Sequence, residues 1–369
     1  MKINIAGHYI TKIGELWDKS LRDLLKEAID GAIENSQISP KTIDAVFVSN
    51  KAAGSFENQL HLGALASQMM KGNPPAMRIE GACASGGIAV VAAQMALMSG
   101  QYKTVLVVGV EKMTDVDSNQ TTQILSAAAD YKTERGSTFP GLYAMLAQAH
   151  MREFGTTRVD LSAVAQKNHV HALDNPNAHF HKKFSLEQIS ESMLVADPLR
   201  LLDCSPISDG AAALVLTTRN LKNKAKILGF GQGQDSLDLV GRKKLTELKA
   251  TKVAAQKAYL QAKIKAKQIE VAEVHDCFTI AEIMAIEDLG FFSKGKGGKA
   301  TTAGKTTYGG KIVINPSGGL KASGHPVGAT GIKQIAYLAK LIEKGEFKLG
   351  LTHNVGGSGA TAVVHILGK

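Results

Sequence analysis

Two segments of the sequence each place a reactive side chain among small residues at a predicted strand-to-helix turn. Cys83 lies in Gly81-Ala82-Cys83-Ala84-Ser85-Gly86-Gly87, and His325 lies in Gly324-His325-Pro326-Val327-Gly328-Ala329. Backbone N–H groups at a helix N-terminus stabilise a thiolate and lower its pKa, and an imidazole can accept the thiol proton. A lone cysteine is more often an inert core residue, but this pairing predicts nucleophilic catalysis by Cys83 with His325 as its base.

A third segment, His275-Asp276-Cys277-Phe278, follows a predicted strand at 269–274. Open α/β sheets place their sites at the carboxyl ends of strands, so His275 and Cys277 are candidate catalytic residues. A purely structural account would make Asp276 a turn residue and Cys277 a packing residue. An apolar-periodic helix is predicted next, from Ile280 to Leu289.

The order of predicted elements occurs twice along the chain. An amphipathic helix begins at Leu21 and precedes a buried strand, and a lysine-rich helix near Val253 likewise precedes a strand. Each copy then contains one of the two glycine-rich turns, a helix and a further strand. This alternation predicts an α/β fold built from two similar βαβα halves whose sheets are covered by helices. The predicted strands are 43–48, 104–109, 269–274, 349–354 and 362–367.

The stretch from 115 to 202 fits neither copy and is predicted to be a helical insertion. Its first clear helix runs from Gly141 to Phe154, and another begins near Asp160. We therefore expect residues 1–114 plus 203–218 to form an N-terminal half, 115–202 an inserted loop domain, and 219–369 a C-terminal half.

Composition excludes several classes of protein. The chain has 369 residues, 44% of them hydrophobic, and only three cysteines, which argues against a disulfide framework and for a reducing compartment. It contains neither a signal-peptide pattern nor the ~18 consecutive apolar residues of a membrane span, so a cytoplasmic location is predicted. The charge of +10 favours anionic partners, but no nucleic-acid motif with interleaved aromatic residues is present.

Two further patterns suggest ligand sites and are interpreted as structural. His169, His171, His179 and His181 form two His-x-His pairs, but residues i and i+2 of a helix point apart and no carboxylate or thiol stands at ligand spacing. We therefore predict no metal site. The run Gly229-Phe230-Gly231-Gln232-Gly233 follows a predicted strand and opens no hydrophobic helix, so it is not a dinucleotide fingerprint, and no cofactor is expected.

Taken together, these motifs resemble the thiolase superfamily over essentially the whole chain. The resemblance is carried by the Cys83 turn, the His275-Asp276-Cys277-Phe278 box, the terminal Gly356-Gly357, and the long segment Asn315-Pro316-Ser317-Gly318-Gly319…Gly324-His325-Pro326-Val327-Gly328-Ala329-Thr330-Gly331. Gly14 to Ser20, Glu111 to Asp115 and Thr138 to Ala144 are similar to archaeal-type acetoacetyl-CoA thiolases. The box is shared with thiolases related to sterol carrier protein. The implied fold is a layered αβαβα core with an inserted loop domain.

The resemblance also implies an activity and roles for individual residues. Acyl-CoA thioesters would be the substrates of a reversible Claisen condensation, with acetyl-CoA as the expected acyl group. Cys83 would carry the acyl group, His325 would activate it, and His275 would stand where many thiolases have an asparagine and help to hold a thioester oxygen. The backbone N–H groups of Cys83 and Gly356 would form an oxyanion hole. Substrate contacts are also expected from Tyr143, Phe278 and Ser317.

One departure from the family pattern concerns the second catalytic cysteine. Most thiolases carry it directly before the terminal glycines, where this chain has His353-Asn354-Val355-Gly356-Gly357. The amide of Asn354 cannot transfer a proton at neutral pH, whereas a thiol can. Cys277 is therefore predicted to replace the missing cysteine, as in relatives with the same box, and Cys204 is expected to be structural.

Two other functions remain open from the sequence alone. One is a thiolase-like acyltransferase with a phenolic or polyketide acceptor, and the other is a non-catalytic acyl-CoA-binding subunit of a larger complex. The intact set of cysteines and histidines argues against the second, because a binding module needs none of them. The resemblance further implies a homodimer or tetramer, and a complex with hydroxymethylglutaryl-CoA synthase and a small scaffold protein.

Overall fold

The computed structural model describes residues 3–369 and contains helices on both faces of extended strands. Strands and helices alternate in each half of the chain, as the sequence predicts. The strands are β1 (Ile3–Ile10), β2 (Ala45–Ser49), β3 (Ala76–Ile79), β4 (Thr104–Glu111), β5 (Leu194–Ala196), β6 (Leu199–Arg200), β7 (Gly210–Thr217), β8 (Lys226–Gln234), β9 (Val271–Glu273), β10 (Val313–Ile314), β11 (Leu349–Gly356) and β12 (Thr361–Gly368). The helices are α1 (Leu21–Ser36), α2 (Ala53–Phe56), α3 (Leu62–Gln68), α4 (Ser85–Met98), α5 (Ser118–Ser126), α6 (Phe139–Phe154), α7 (Arg158–His171), α8 (Leu186–Ser190), α9 (Lys249–Ala262), α10 (Thr279–Asp288), α11 (Gly297–Thr302), α12 (Gly319–Ser323) and α13 (Thr330–Lys344).

The two halves have the same strand order and the same strand directions. The first is ordered β3-β2-β4-β7-β1, and the second is ordered β10-β9-β11-β12-β8. In each half the first three strands are parallel and the last two pair antiparallel. The halves join where Ile3 and Asn4 of β1 pair with Ile227 and Lys226 of β8, which makes one ten-stranded sheet. The predicted repetition of one βαβα unit is confirmed.

Helices α4 and α13 lie between the two halves of the sheet and form the central layer. Their apolar residues share one buried cluster with residues of both halves. Helices α1 and α3 cover the outer face of the first half, and α9 and α10 cover the outer face of the second. The result is the expected αβαβα layering, in which the active-site turns before α4 and α13 face each other.

Alternate glycines of β8 allow α9 to pack unusually close to the sheet. Gly229, Gly231 and Gly233 lie within this strand, whereas the sequence pattern placed the glycine run after a strand. A side chain at any of them would collide with main-chain carbonyl oxygens of α9. The run is therefore a helix-packing surface, since only glycine leaves room for such an approach.

The inserted segment contributes helices to one side of the active site. Helices α6 and α7 are capped by the residues that precede them, Thr138 and Thr157, whose hydroxyls accept hydrogen bonds from backbone N–H groups of the first turns. Leu142, Leu146 and Leu161 then pack against α10. Among residues 3–369, no helix is both long enough and apolar enough to cross a lipid bilayer.

The N-termini of α4 and α13 cross at glycines without any intervening side chain. A Cβ atom at Gly86 would lie 2.8 Å from the backbone nitrogen of Gly331, and one at Gly331 would collide with the backbone nitrogen of Gly87 and with Asn354. This crossing brings the two active-site turns together, so it positions the chemistry as well as the core.

We expect Gly331→Ala to lower the free energy of unfolding by about 1–3 kcal/mol, the usual cost of overpacking, because the new methyl group meets backbone that cannot rotate away. Urea denaturation measures this. Gly141→Ala is the matched control, since its Cβ would have only an ordinary 3.5 Å contact with Thr138. Equal stability of Gly331→Ala and wild type would contradict the crossing.

Candidate active site

Cys83 lies in a tight turn between β3 and α4. Residues Ala82–Ala84 form one 3₁₀ turn, and Ala82 has φ of 53°, a left-handed conformation that costs energy for a residue with a Cβ. The Ser85 hydroxyl closes the turn, because it accepts from the backbone N–H of Gly81 at 2.9 Å and donates to the carbonyl of Ala82 at 2.6 Å. The turn places the cysteine at the start of the central helix.

The structure brings Cys83, His275 and His325 together from three separate parts of the chain. The sulfur of Cys83 and one ring nitrogen of each histidine all lie within 4.8 Å of one another. The two imidazole rings meet edge to face with centroids 5.0 Å apart. His275 follows β9 and His325 precedes α13, so the predicted convergence of the two halves is what assembles this cluster.

Hydrogen bonding identifies which nitrogen of His325 carries the proton. Its Nδ1 lies 2.7 Å from the hydroxyl of Thr330, and that hydroxyl donates its single hydrogen to the carbonyl of Pro326 at 3.0 Å. We assign the ring hydrogen to Nδ1 from this pattern, because a hydroxyl that donates to Pro326 has only lone pairs left for the ring. Nε2 is left with a free lone pair, as a base requires.

Burial keeps all three groups neutral before substrate binds. It raises the pKa of Cys83 to about 11, although Lys51 and the backbone N–H of Gly357 act in the opposite direction. This corrects the expectation of a lowered thiol pKa, because desolvation of the sulfur outweighs the helix terminus. Burial also lowers the pKa of His325 to about 3 and that of His275 well below its usual value. In the free protein Cys83 is therefore a thiol beside a neutral imidazole.

Cys277, Tyr143 and Phe278 form one wall of the site. The rings of Tyr143 and Phe278 have centroids 4.7 Å apart, and the Tyr143 hydroxyl donates to the carbonyl of Gly357 at 3.2 Å. A hydrogen bond with Tyr143 lowers the pKa of Cys277, but burial dominates and raises it well above the usual value. The Cys277 thiol is therefore protonated in the free protein.

The predicted substrate contact of Ser317 differs from expectation, and the surroundings of the terminal glycines add detail to another prediction. The Ser317 hydroxyl and backbone N–H both donate to Glu273 at 2.8 Å, so the hydroxyl expected to contact substrate is held by a buried carboxylate instead. At the terminal glycines, the N–H that lowers the pKa of Cys83 belongs to Gly357. Gly356, the predicted oxyanion donor, is the residue before it and ends β11.

Cys204 lies beside this wall but is occupied by its own backbone contacts. It forms an isolated bridge with Phe278, and its thiol donates to the carbonyl of Arg200 at 3.4 Å. Burial raises its pKa to about 12. This agrees with the structural interpretation of Cys204.

Sequence reasoning missed Glu111, which ties the His325 turn to the first half of the protein. Its carboxylate is fully buried and accepts from the backbone N–H groups of Lys51, Ala52 and Gly328, each at 2.9 Å. The signal available in the sequence was an acidic residue at the end of a buried apolar strand, where a charge needs several donors.

Sequence reasoning also treated Asn354 only as a missing cysteine. The structure places its side chain at the centre of the site, where it donates to the carbonyl of Cys83 at 2.9 Å and contacts Nδ1 of His275 at 3.2 Å. No local sequence pattern reveals this role, because all of its partners are distant in the chain.

The four histidines of the His-x-His pairs do not converge. His169 packs against Phe184 at 4.8 Å, and the other three hydrogen-bond to separate partners. Those partners are Asn315 and Thr307 for His171, Ser208 for His179, and Asn175 for His181. Within residues 3–369, the one group of three or more potential ligands that converges is Cys83, His275 and His325 itself.

Comparison with known proteins agrees with this geometry. Residues 3–220 match the family model "Thiolase, N-terminal domain", and residues 231–369 match "Thiolase C-terminal domain-like". An acetyl-CoA acetyltransferase of Methanothermobacter thermautotrophicus is 44% identical over 382 residues, covering 100% of this chain and 99% of that protein. Sterol carrier protein 2 of Bos taurus is 32% identical over 391 residues, covering 98% of this chain and 71% of that protein.

A solved structure extends the comparison to three dimensions. The Ltp2-ChsH2(DUF35) aldolase superposes with a TM-score of 0.83 at 25% identity, over 100% of this chain and 97% of that chain. The similarity in three dimensions therefore extends over the whole fold, as the sequence match does. The chain belongs to the thiolase family.

Proposed function

We propose that this protein is an acetyl-CoA acetyltransferase that joins two acetyl-CoA molecules into acetoacetyl-CoA, or cleaves acetoacetyl-CoA with coenzyme A, through an acyl group on Cys83. The observation that carries the proposal is the convergence of the Cys83 sulfur with ring nitrogens of His275 and His325 within 4.8 Å. The full-length identity of 44% with an archaeal acetyl-CoA acetyltransferase supports acetyl-CoA as substrate.

The first half-reaction transfers an acetyl group to the enzyme. Nε2 of His325 accepts the proton of Cys83, and the thiolate attacks the thioester carbonyl. Backbone N–H groups of Cys83 and Gly356 are the proposed donors to the oxyanion, and one such donor is typically worth about 3–4 kcal/mol of barrier. The carbon–sulfur bond to coenzyme A then breaks. Because burial keeps Cys277 protonated, it supplies the proton that the departing sulfur requires.

The second half-reaction forms the carbon–carbon bond and restores every proton. The Cys277 thiolate removes an α-proton from a second acetyl-CoA, whose thioester oxygen lies between His275 and the protonated His325. The resulting enolate attacks the acetyl group on Cys83 and releases acetoacetyl-CoA. His325 returns its proton to the Cys83 thiolate. The low pKa of His325 in the free protein favours this return.

Incubation with acetyl-CoA followed by peptide mass spectrometry tests the acyl-enzyme. We expect an acetyl thioester on Cys83 in wild type and none in Cys83→Ala, with loss of turnover. Cys83→Ser should keep little activity because serine is a poor nucleophile without a matched base. Acetylation of Cys204 or Cys277 with Cys83 unmodified would overturn the assignment, and binding without any acylation would favour a non-catalytic subunit.

Cys277→Ala separates the two half-reactions. We expect one acetyl group still to be transferred to Cys83, because the nucleophile and its base are untouched, but more slowly, because Cys277 no longer protonates the departing sulfur. Steady-state condensation and thiolysis should fall about 10²–10⁴-fold, the usual contribution of a general acid–base. Rapid-quench measurement of burst and steady state decides this, with Cys204→Ala as the control thiol. If Cys277→Ala turned over like wild type, Cys277 would be a packing residue.

We also propose assembly into at least a dimer through the edge strand β3. This strand ends the ten-stranded sheet, and the Met77 side chain on it is 47% exposed. An uncapped edge strand can pair with a copy of itself across a two-fold axis. Association into a tetramer, a complex with hydroxymethylglutaryl-CoA synthase and a small scaffold protein, and a cytoplasmic location stay predictions from the family resemblance.

Light scattering measures the assembly directly. We expect at least twice the chain mass of 39.1 kDa for wild type, and a shift toward monomer for Met77→Lys, because a lysine at a strand edge opposes pairing. Met193→Lys is the control, since Met193 is 65% exposed on the inserted segment. A monomeric wild type at micromolar concentration would exclude the dimer.

A further inference from the structure

We propose that Asn354 is a positioning residue that fixes the tautomer of His275, so that Nε2 of this imidazole presents a hydrogen to the substrate oxygen. The inference rests on the proposed function, because it explains how His275 can act as a donor there. It concerns the position at which most thiolases carry their second cysteine.

The orientation of the Asn354 amide is determined by two main-chain groups. Its Oδ1 accepts from the backbone N–H of Gly87 at 3.0 Å, and its Nδ2 donates to the carbonyl of Cys83 at 2.9 Å. If the amide were flipped, its oxygen would face the carbonyl oxygen of Cys83 and its NH₂ group would face the backbone N–H of Gly87. Asn354 is 2% exposed, so water cannot relieve such a mismatch. The nitrogen Nδ2, and not the oxygen, must therefore face the carbonyl of Cys83 and the ring of His275.

The second hydrogen of Asn354 Nδ2 points at His275 and determines which nitrogen of that ring is protonated. Nδ1 of His275 lies 3.2 Å from Nδ2 of Asn354, and an amide nitrogen only donates. A hydrogen on Nδ1 would face another hydrogen, so Nδ1 must accept. The neutral imidazole therefore carries its hydrogen on Nε2. Burial holds the pKa of His275 well below its usual value, so the ring is neutral at pH 7.

The two active-site histidines consequently have opposite tautomers. Thr330 places the hydrogen of His325 on Nδ1 and leaves Nε2 as a base. Asn354 places the hydrogen of His275 on Nε2 and makes it a donor. One ring can thus accept the Cys83 proton while the other stabilises negative charge on the thioester oxygen. One of the two roles would be lost if both rings took the same tautomer.

The surrounding glycines show that this position is built for the amide. A Cβ atom at Gly331 would collide with Oδ1 of Asn354, and one at Gly87 would make a tight 3.1 Å contact with the same atom. A cysteine at 354 offers one weak donor and could not satisfy the Gly87 N–H, the Cys83 carbonyl and His275 together. Thiolases that have an asparagine at the position of His275 have no imidazole there whose tautomer must be fixed. We therefore infer that His275 and Asn354 depend on each other.

Nitrogen-15 spectroscopy of histidine-labelled full-length protein measures the tautomer without substrate. We expect His275, assigned by its loss in His275→Asn, to show a protonated Nε2 and an unprotonated Nδ1. Asn354→Asp should reverse this pattern, because a carboxylate only accepts and would draw the hydrogen to Nδ1. A wild-type His275 protonated on Nδ1 would overturn the proposal. This readout does not depend on acetyl-CoA being the substrate, so it separates failure of the positioning role from failure of the proposed function.

Kinetics of the same variants test the consequence. For Asn354→Asp we expect kcat of condensation and thiolysis to fall about 10²–10³-fold, the typical cost of losing one oxyanion donor, with a smaller loss in the acetylation burst. Asn354→Ala, which leaves Nδ1 of His275 without a partner, should show mixed tautomers and an intermediate rate. Thr251→Val is the control, since it removes a 2.8 Å hydrogen bond to His353, the residue before Asn354, and should match wild type. Wild-type rates in both Asn354 variants would overturn the role.

Discussion

The close approach of two helix N-termini is the constraint on which the rest of the structure depends. Helices α4 and α13 cross at Gly86 and Gly331, where a Cβ atom would lie 2.8 Å or less from the backbone of the other helix. Each helix begins directly after a turn that carries a reactive residue, so the crossing sets the separation of Cys83 and His325. The two half-sheets that surround these helices hold them in register through a shared apolar cluster. Packing at the core and geometry at the site therefore have one cause.

The second consequence of this arrangement is that His275, Cys277 and His325 are buried and Cys83 is only partly exposed to solvent. Burial raises the pKa of Cys83 and Cys277 and lowers the pKa of His275 and His325. Charges on these groups are therefore disfavoured until substrate is present, and a neutral thiol beside a neutral imidazole is the stable resting state. In such an environment each hydrogen bond is electrostatically stronger than in water. The tautomers of the histidines then determine which atoms donate and which accept.

Polar residues that surround the cysteine and histidines hold these groups in position and fix their tautomers. Glu111 holds the His325 turn through backbone N–H groups, Thr330 orients His325, and Asn354 connects the Cys83 turn to His275. All three are buried and fully hydrogen-bonded, which is the condition under which polar groups are tolerated in a protein interior. Their substitution would disturb catalysis without touching a substrate atom.

The sequence by itself determined the repeated α/β architecture and selected the candidate reactive residues that the fold brings together. Apolar periodicity is a local property, so the strands at 104–109 and 349–354 and the helix from Leu21 were found close to their observed bounds. The Cys83 and His325 turns could be recognised because glycine and small residues are required wherever backbones approach closely. The helix terminus at Cys83, however, suggested a lowered thiol pKa, and the reverse is observed because burial depends on the whole fold.

Only the tertiary structure decided how these residues work together. Asn354 contacts Gly87, Cys83 and His275, which lie 267, 271 and 79 residues away in the chain. No local pattern encodes such contacts, so the sequence showed only that a cysteine was absent there. The Ser317 hydroxyl was expected to face substrate, but the carboxylate of Glu273, 44 residues earlier, binds it instead. Tautomers, pKa values and hydrogen-bond partners arise from neighbours in space, and the fold alone specifies those neighbours.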